Sequence, residues 1–110
     1  MSFNLQIISP ENSVFDDKID MVIVPGAEGD IGVLSNHMPL ITSLRLGNVY
    51  IYKDQKIIKK FLVNGGILEV FENKCALLTE DISDSESEVI SNDDKLFQKK
   101  SEIASQQFYT

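Results

Sequence analysis

A single cysteine, Cys75, rules out an intramolecular disulfide, and its apolar neighbours mark it as a buried, inert thiol rather than a reactive one. It leaves the redox compartment unconstrained. No apolar run approaches the roughly 20 residues that a bilayer requires. Met1 to Ile8 lacks the basic flank and long apolar core of a signal peptide, so the expected location is inside the cell. Cations are scarce: 10 lysines and arginines stand against 17 acids, a net charge of −7. That balance argues against nucleic acid, whose phosphates demand a basic face, and against direct adsorption to anionic lipid. With one histidine, His37, and one cysteine, a zinc site would need several carboxylates. Asp16, Asp17 and Asp20 lack the spacing and glycine of a calcium loop. Ser35 lies near His37, but no Gly-x-Ser-x-Gly elbow exists, so a hydrolase built on His37 is disfavoured. Neither a metal nor a cofactor is expected.

What remains is a strand-rich chain. Phe3, Leu5 and Ile7 alternate with Asn4 and Gln6, the period of a half-buried strand. Apolar, β-branched stretches follow at Ile19 to Val24, Val49 to Lys53, Lys56 to Val63, Ile67 to Phe71 and Cys75 to Thr79. Asp54-Gln55, Asn64-Gly65 and Glu72-Asn73 read as tight connections between them. Short strands at this spacing predict an antiparallel β-sandwich of about ten strands over residues 1–82. Lys56, Lys59 and Lys60 read as an exposed, aggregation-resistant strand edge. Residues 83–110 differ in composition. Asp81 to Asp94 holds six acids and no lysine or arginine, the mark of a solvated linker. Beyond it, Leu96, Phe97, Lys100, Ile103, Ala104, Gln107 and Phe108 recur at helical spacing behind a cap at Asn92 or Asp93, which predicts a short C-terminal helix.

One stretch concentrates unusual chemistry. Val24-Pro-Gly-Ala-Glu-Gly-Asp-Ile-Gly-Val-Leu-Ser-Asn-His-Met-Pro-Leu-Ile41 reads as an elaborate loop shaped by Gly26, Gly29, Gly32 and Pro39. The glycines do not form a nucleotide fingerprint, the loop leads into a strand rather than a helix, and Glu28 and Asp30 would repel phosphate. A rigid sandwich carrying such a loop has the profile of an interaction module.

That stretch, continued through Thr42 and Leu46-Gly47, resembles the signature of the epsilon subunit of bacterial F-type ATP synthase, counterpart of the mitochondrial delta subunit. Val63-Asn-Gly-Gly-Ile-Leu-Glu-Val70, with Gly65 and Gly66, is similar to the family's second signature, and Leu5-Gln-Ile-Ile-Ser-Pro-Glu11 with Phe15 to its opening. The resemblance covers residues 3 to 82. It implies a non-catalytic β-sandwich in the central stalk that grips the gamma subunit and sits on the c-ring, coupling proton-driven rotation to ATP synthesis. It further implies contact with gamma at Ser9 and His37 and with the c-ring at Asp30 and Thr42. The C-terminal helix would reach the alpha/beta catalytic head. The expected place is the cytoplasmic face of the bacterial inner membrane, reached only through the c-ring. Ser35-Asn36 replaces the Pro-Gly pair common before the histidine, and asparagine preserves the left-handed turn. Relatives carry a two-helix C-terminal hairpin that inhibits hydrolysis and in some cases binds ATP. Only about one helix fits here, at roughly 1.5 Å per residue, and the ATP-binding pattern has no match, so weak or absent autoinhibition is expected. The alternative is a free-standing sandwich that binds a peptide or small polar ligand through an edge strand.

Overall fold

The structure is a computed structural model and describes residues 1–10 and 13–84. The expected acidic linker and C-terminal helix lie outside them, apart from the linker's first residues. Eight strands follow in order: β1 (Phe3–Ile8), β2 (Ser13–Ile19), β3 (Met21–Gly26), β4 (Gly29–Leu34), β5 (Leu40–Lys53), β6 (Lys56–Phe71), β7 (Lys74–Leu78) and β8 (Ile82–Asp84). They hydrogen-bond in the order β2-β1-β7-β6-β5-β3-β4, with β8 alongside β6. All these pairings are antiparallel except β1 with β7, which is parallel.

The long hairpin β5–β6 makes the sandwich. Residues 67–71 of β6 pair with β7, whereas 61–63 pair with β8. The strand therefore leaves one layer and enters the other. The crossing falls at Gly65 (φ 85°) and Gly66 (φ 135°), backbone angles that glycine takes without steric cost. Burial records the change of phase: Phe61 and Val63 are interior before the bend, Leu68 and Val70 after it. An unbroken strand would keep one parity throughout. The expected hairpin turn at Asn64-Gly65 is thus a bend within one strand, and the described residues hold eight strands rather than about ten. The other two tight connections are hairpin turns with positive φ at both central residues, Asp54-Gln55 (53° and 64°) and Glu72-Asn73 (50° and 59°). These angles match the right-handed twist of the flanking strands.

Between the layers lie Phe3, Leu5 and Ile7 of β1, Val22 and Val24 of β3, Val49 and Ile51 of β5, and Cys75 and Leu77 of β7, all buried. The alternating residues of β1 thus face inward as their period requires. Burial pushes the Cys75 thiol up to about 12, as expected for an inert group. Met21, Ile23, Tyr52 and Ile57 form a second buried cluster. Lys60 departs from the expected exposed edge. It is 8% accessible, with Nζ 5.6 Å from the Tyr50 ring centroid, so its stem packs while its ammonium meets an aromatic face.

Candidate functional site

The expected elaborate loop resolves into two pieces. Residues 21–34 form the β3–β4 hairpin, in register from Met21↔Leu34 to Gly26↔Gly29, with Ala27-Glu28 as its tip. Gly26 ends β3, Gly29 opens β4 with φ 143°, and Gly32 is buried within β4 opposite Ile23. A side chain at Gly26 would meet the Gly29 carbonyl oxygen at 2.5 Å and Ile31 Cδ1 at 2.7 Å. Close approach, not a cradle for a ligand, accounts for it. Only residues 35–39, which include Pro39, form a connection between elements. Asn36 there takes φ 67°, the left-handed turn that the Pro-Gly replacement requires. Its amide donates to Asn73 Oδ1 at 2.7 Å, which anchors this connection to the β6–β7 turn.

His37 follows on that connection. Its Nδ1 donates to the Met38 carbonyl at 2.6 Å, and burial holds its pKa below the ordinary imidazole value against the opposing effect of that bond. The ring is therefore neutral near pH 7. Ser9 lies just past the other end of β1, where the Thr79 amide donates to the Ile8 carbonyl at 3.0 Å. Six strand residues separate these ends, roughly 20 Å at 3.3 Å per residue. Ser9 and His37 are not brought together.

At the Ser9 end lies an apolar row that sequence reasoning missed. Ile8 pairs with Leu78 and Leu78 with Ile67, one row across three strands. Ile41 lies one pleat further along, opposite Glu69. Ile41 is 70% accessible, Ile67 51% and Leu78 47%. The row opens on a depression of about 490 Å³ walled by Ser9, Pro10, Ile67, Leu78 and Glu80. Neighbouring exposed apolar side chains across paired strands are the kind of surface that a binding partner covers. The signal was present in sequence: Ile67-Leu68-Glu69-Val70-Phe71 is apolar at both parities, more than a one-sided core requires.

Asp30 lies on β4 and Thr42 on β5. The β3–β4 tip meets β5 where the Ala27 amide donates to the Ser43 carbonyl at 2.9 Å, beside Thr42. Asp30 Oδ1 accepts from Arg45 Nη2 at 2.8 Å, and Arg45 Nη1 donates to the Gly26 carbonyl. Thr42 opposes the fully buried Leu68. Its side chain shares the interior side of the layer and is only half-buried. Thr79, also missed, is buried and donates from Oγ1 to the Gly65 carbonyl at 2.8 Å, tying β7 to the bend. Among the described residues, no three histidine, cysteine or carboxylate side chains gather as a metal site would need.

The described residues form a folded double layer with an exposed apolar row and a hairpin tip tied to β5. The model of the family "ATP synthase, Delta/Epsilon chain, beta-sandwich domain" matches residues 2–85. The chain belongs to that family, one of non-catalytic chains of the synthase. Curated relatives named ATP synthase epsilon chain include those of Rhodospirillum rubrum (35% identical over 79 residues, 72% of this chain and 59% of the relative) and Pelotomaculum thermopropionicum (43% over 74 residues, 67% and 54%). That of Leptospira borgpetersenii is 40% identical over 77 residues, 70% of this chain and 60% of the relative. The matched chain thus spans less than two thirds of the length of these relatives. Among solved structures, a chain of the Euglena gracilis mitochondrial ATP synthase (OSCP/F1/c-ring) aligns with TM-score 0.71 at 17% identity, covering 92% of this chain and 62% of that one. A chain of the Tetrahymena thermophila central stalk/c-ring assembly aligns with TM-score 0.63 at 16% identity, covering 94% and 88%. At these identities the likeness establishes the fold.

Proposed function

We propose that this chain is a central-stalk subunit of a rotary ATP synthase at the cytoplasmic face of a bacterial inner membrane. It grips the gamma subunit through the outer face of the β1–β7–β6 layer and rests on the c-ring through the β3–β4 tip. The observation that carries the reading is the Ile8–Leu78–Ile67 row with Ile41, at the end of β1 that runs into Ser9. Burial of such apolar area contributes about 25 cal/mol per Å², and an apolar centre ringed by polar groups is the usual anatomy of a stable interface. Asp30 is the acid at the ring-facing end, with Thr42 at its margin. The subunit transmits rotation and performs no chemistry. Co-purification tests this directly: the chain co-elutes with its own gamma subunit as a stable complex, and separate elution at micromolar concentration contradicts the proposal.

Regulation follows from the same reading. Residues 86–100 lack the family's nucleotide-binding pattern, and on this reading the subunit couples rotation without nucleotide sensing and inhibits hydrolysis weakly or not at all. ATP hydrolysis by the assembled enzyme is then nearly equal with and without residues 85–110, and a several-fold rise on their removal contradicts it. The edge-strand ligand module finds less support, because β2, which among the described residues pairs only with β1, carries the exposed charges Asp16, Asp17 and Lys18, and these deter strand addition.

A further inference from the structure

We propose that Arg45 is the positioning residue of the ring-facing end: one guanidinium clamps the β3–β4 tip to β5 and fixes the orientation in which Asp30 meets its partner. The proposal rests on the stalk reading given above.

The tip needs such a clamp. Along β3 the ladder to β5 runs through Met21↔Tyr52, Val22↔Ile51 and Ile23↔Tyr50, then lapses until Gly26↔Leu44. Val24 and Pro25 fall in the gap, and proline has no N–H to donate. A hairpin whose last turn leaves its ladder would move freely about that gap. Arg45 closes it from the other strand. Nη1 holds the Gly26 carbonyl at the end of β3 and Nη2 holds Asp30 at the start of β4, so one planar group bridges both arms of the hairpin. Its rigid fork suits this double contact, which a point-charge ammonium cannot reproduce. The Ala27 amide on the Ser43 carbonyl supplies a second tie, and the close approach of Pro25 to Gly47 a third: a side chain there would meet Pro25 Cβ at 2.6 Å. Arg45 is the only arginine in the chain. Its side chain remains 46% accessible, against 30% for Asp30. The pair thus stands at the surface, with the carboxylate aimed by the cation beside it.

The test is a double-mutant cycle on the chain in complex with gamma. Arg45→Gln, Asp30→Asn and the double variant are titrated onto detergent-solubilised c-ring from the same enzyme, and amide exchange is measured over residues 26–31. A residue that acts through another gives non-additive losses. Arg45→Gln is expected to weaken ring binding about tenfold and to speed exchange at Ala27 by a similar factor, with gamma affinity unchanged. Asp30→Asn weakens ring binding comparably, and the double variant no more than the worse single. Arg45→Lys recovers only part of the loss. Additive losses, or wild-type exchange and affinity in Arg45→Gln, overturn the proposal. A wild-type complex that holds gamma but never binds the ring removes the docking half together with the stalk reading, while the exchange arm still decides the clamp.

Discussion

Replacing Gly66 by alanine separates two costs that glycine normally hides. The residue has φ 135°, and an added Cβ would lie far inside van der Waals contact with the Leu78 carbonyl oxygen and 3.2 Å from Thr79 Cβ. Backbone strain at such an angle costs about 1–2 kcal/mol. Overpacking against a neighbouring strand costs about 1–3 kcal/mol more. The reduced entropy of the unfolded chain returns up to about 1 kcal/mol. The net is about 3 kcal/mol, a large share of a total stability of about 5–15 kcal/mol. At about 4–8 °C per kcal/mol for a domain of this size, the midpoint falls by about 12–24 °C. Gly29→Ala is the control: its φ is 143°, but nothing lies within 4 Å of the added carbon, so only the backbone cost applies. Thermal unfolding followed by circular dichroism reads both. Equal midpoints for the two variants would refute the claim that β6 approaches β7 too closely at the bend for any side chain.

Thr79→Val removes the bond to the Gly65 carbonyl from a buried site and is expected to cost about 1–3 kcal/mol, read as a lower urea midpoint with unchanged m-value. Cys75, with its pKa raised to about 12, disfavours the thiolate when folded. Its contribution to stability is full below the unfolded value near 9 and is lost at about 1.4 kcal/mol per unit as pH rises from there towards 12. Denaturant titrations at pH 8 and 10.5 should show a fall in stability that is smaller in Cys75→Ala, and alkylation of the native thiol at pH 8 should proceed only at the rate of unfolding. His37, with its pKa lowered by burial, makes the opposite contribution: its stability is present above pH 6.5 and lost as pH falls through the folded value. A stability profile from pH 7 to 5 that is flatter in His37→Gln checks it.

Strand period was legible wherever one face met the core and the other met solvent, as in β1, and the positive-φ turns at Asp54-Gln55 and Glu72-Asn73 were legible from residue type. β2 was not, because Asp16, Asp17 and Lys18 interrupt its apolar residues on a strand that, among the described residues, has β1 as its one paired neighbour. The first half of β5 was hidden for a related reason: Thr42, Ser43 and Arg45 are polar, and Gly47 breaks the pattern. Asn64-Gly65-Gly66 misled because a chain reversal and a layer-crossing bend call for the same residues; only the shift of phase from Val63 to Leu68 distinguishes them. The candidate site was legible as a family signature, not as geometry. No local pattern shows that Asp30 is claimed by Arg45, or that Ile8, Leu78 and Ile67 form one apolar row, because both facts depend on register between distant strands.

The central claim is that the outer face of the β1–β7–β6 layer is the grip on gamma. Ile67→Asp places a charge at its centre, on a side chain already 51% accessible, so the fold itself should tolerate the change. The dissociation constant for purified gamma, measured by calorimetry with wild type and Ile67→Asp at matched Tm, tests it most directly. A loss of at least a hundredfold, about 2.7 kcal/mol, is the predicted result; unchanged affinity in a folded variant would contradict the account.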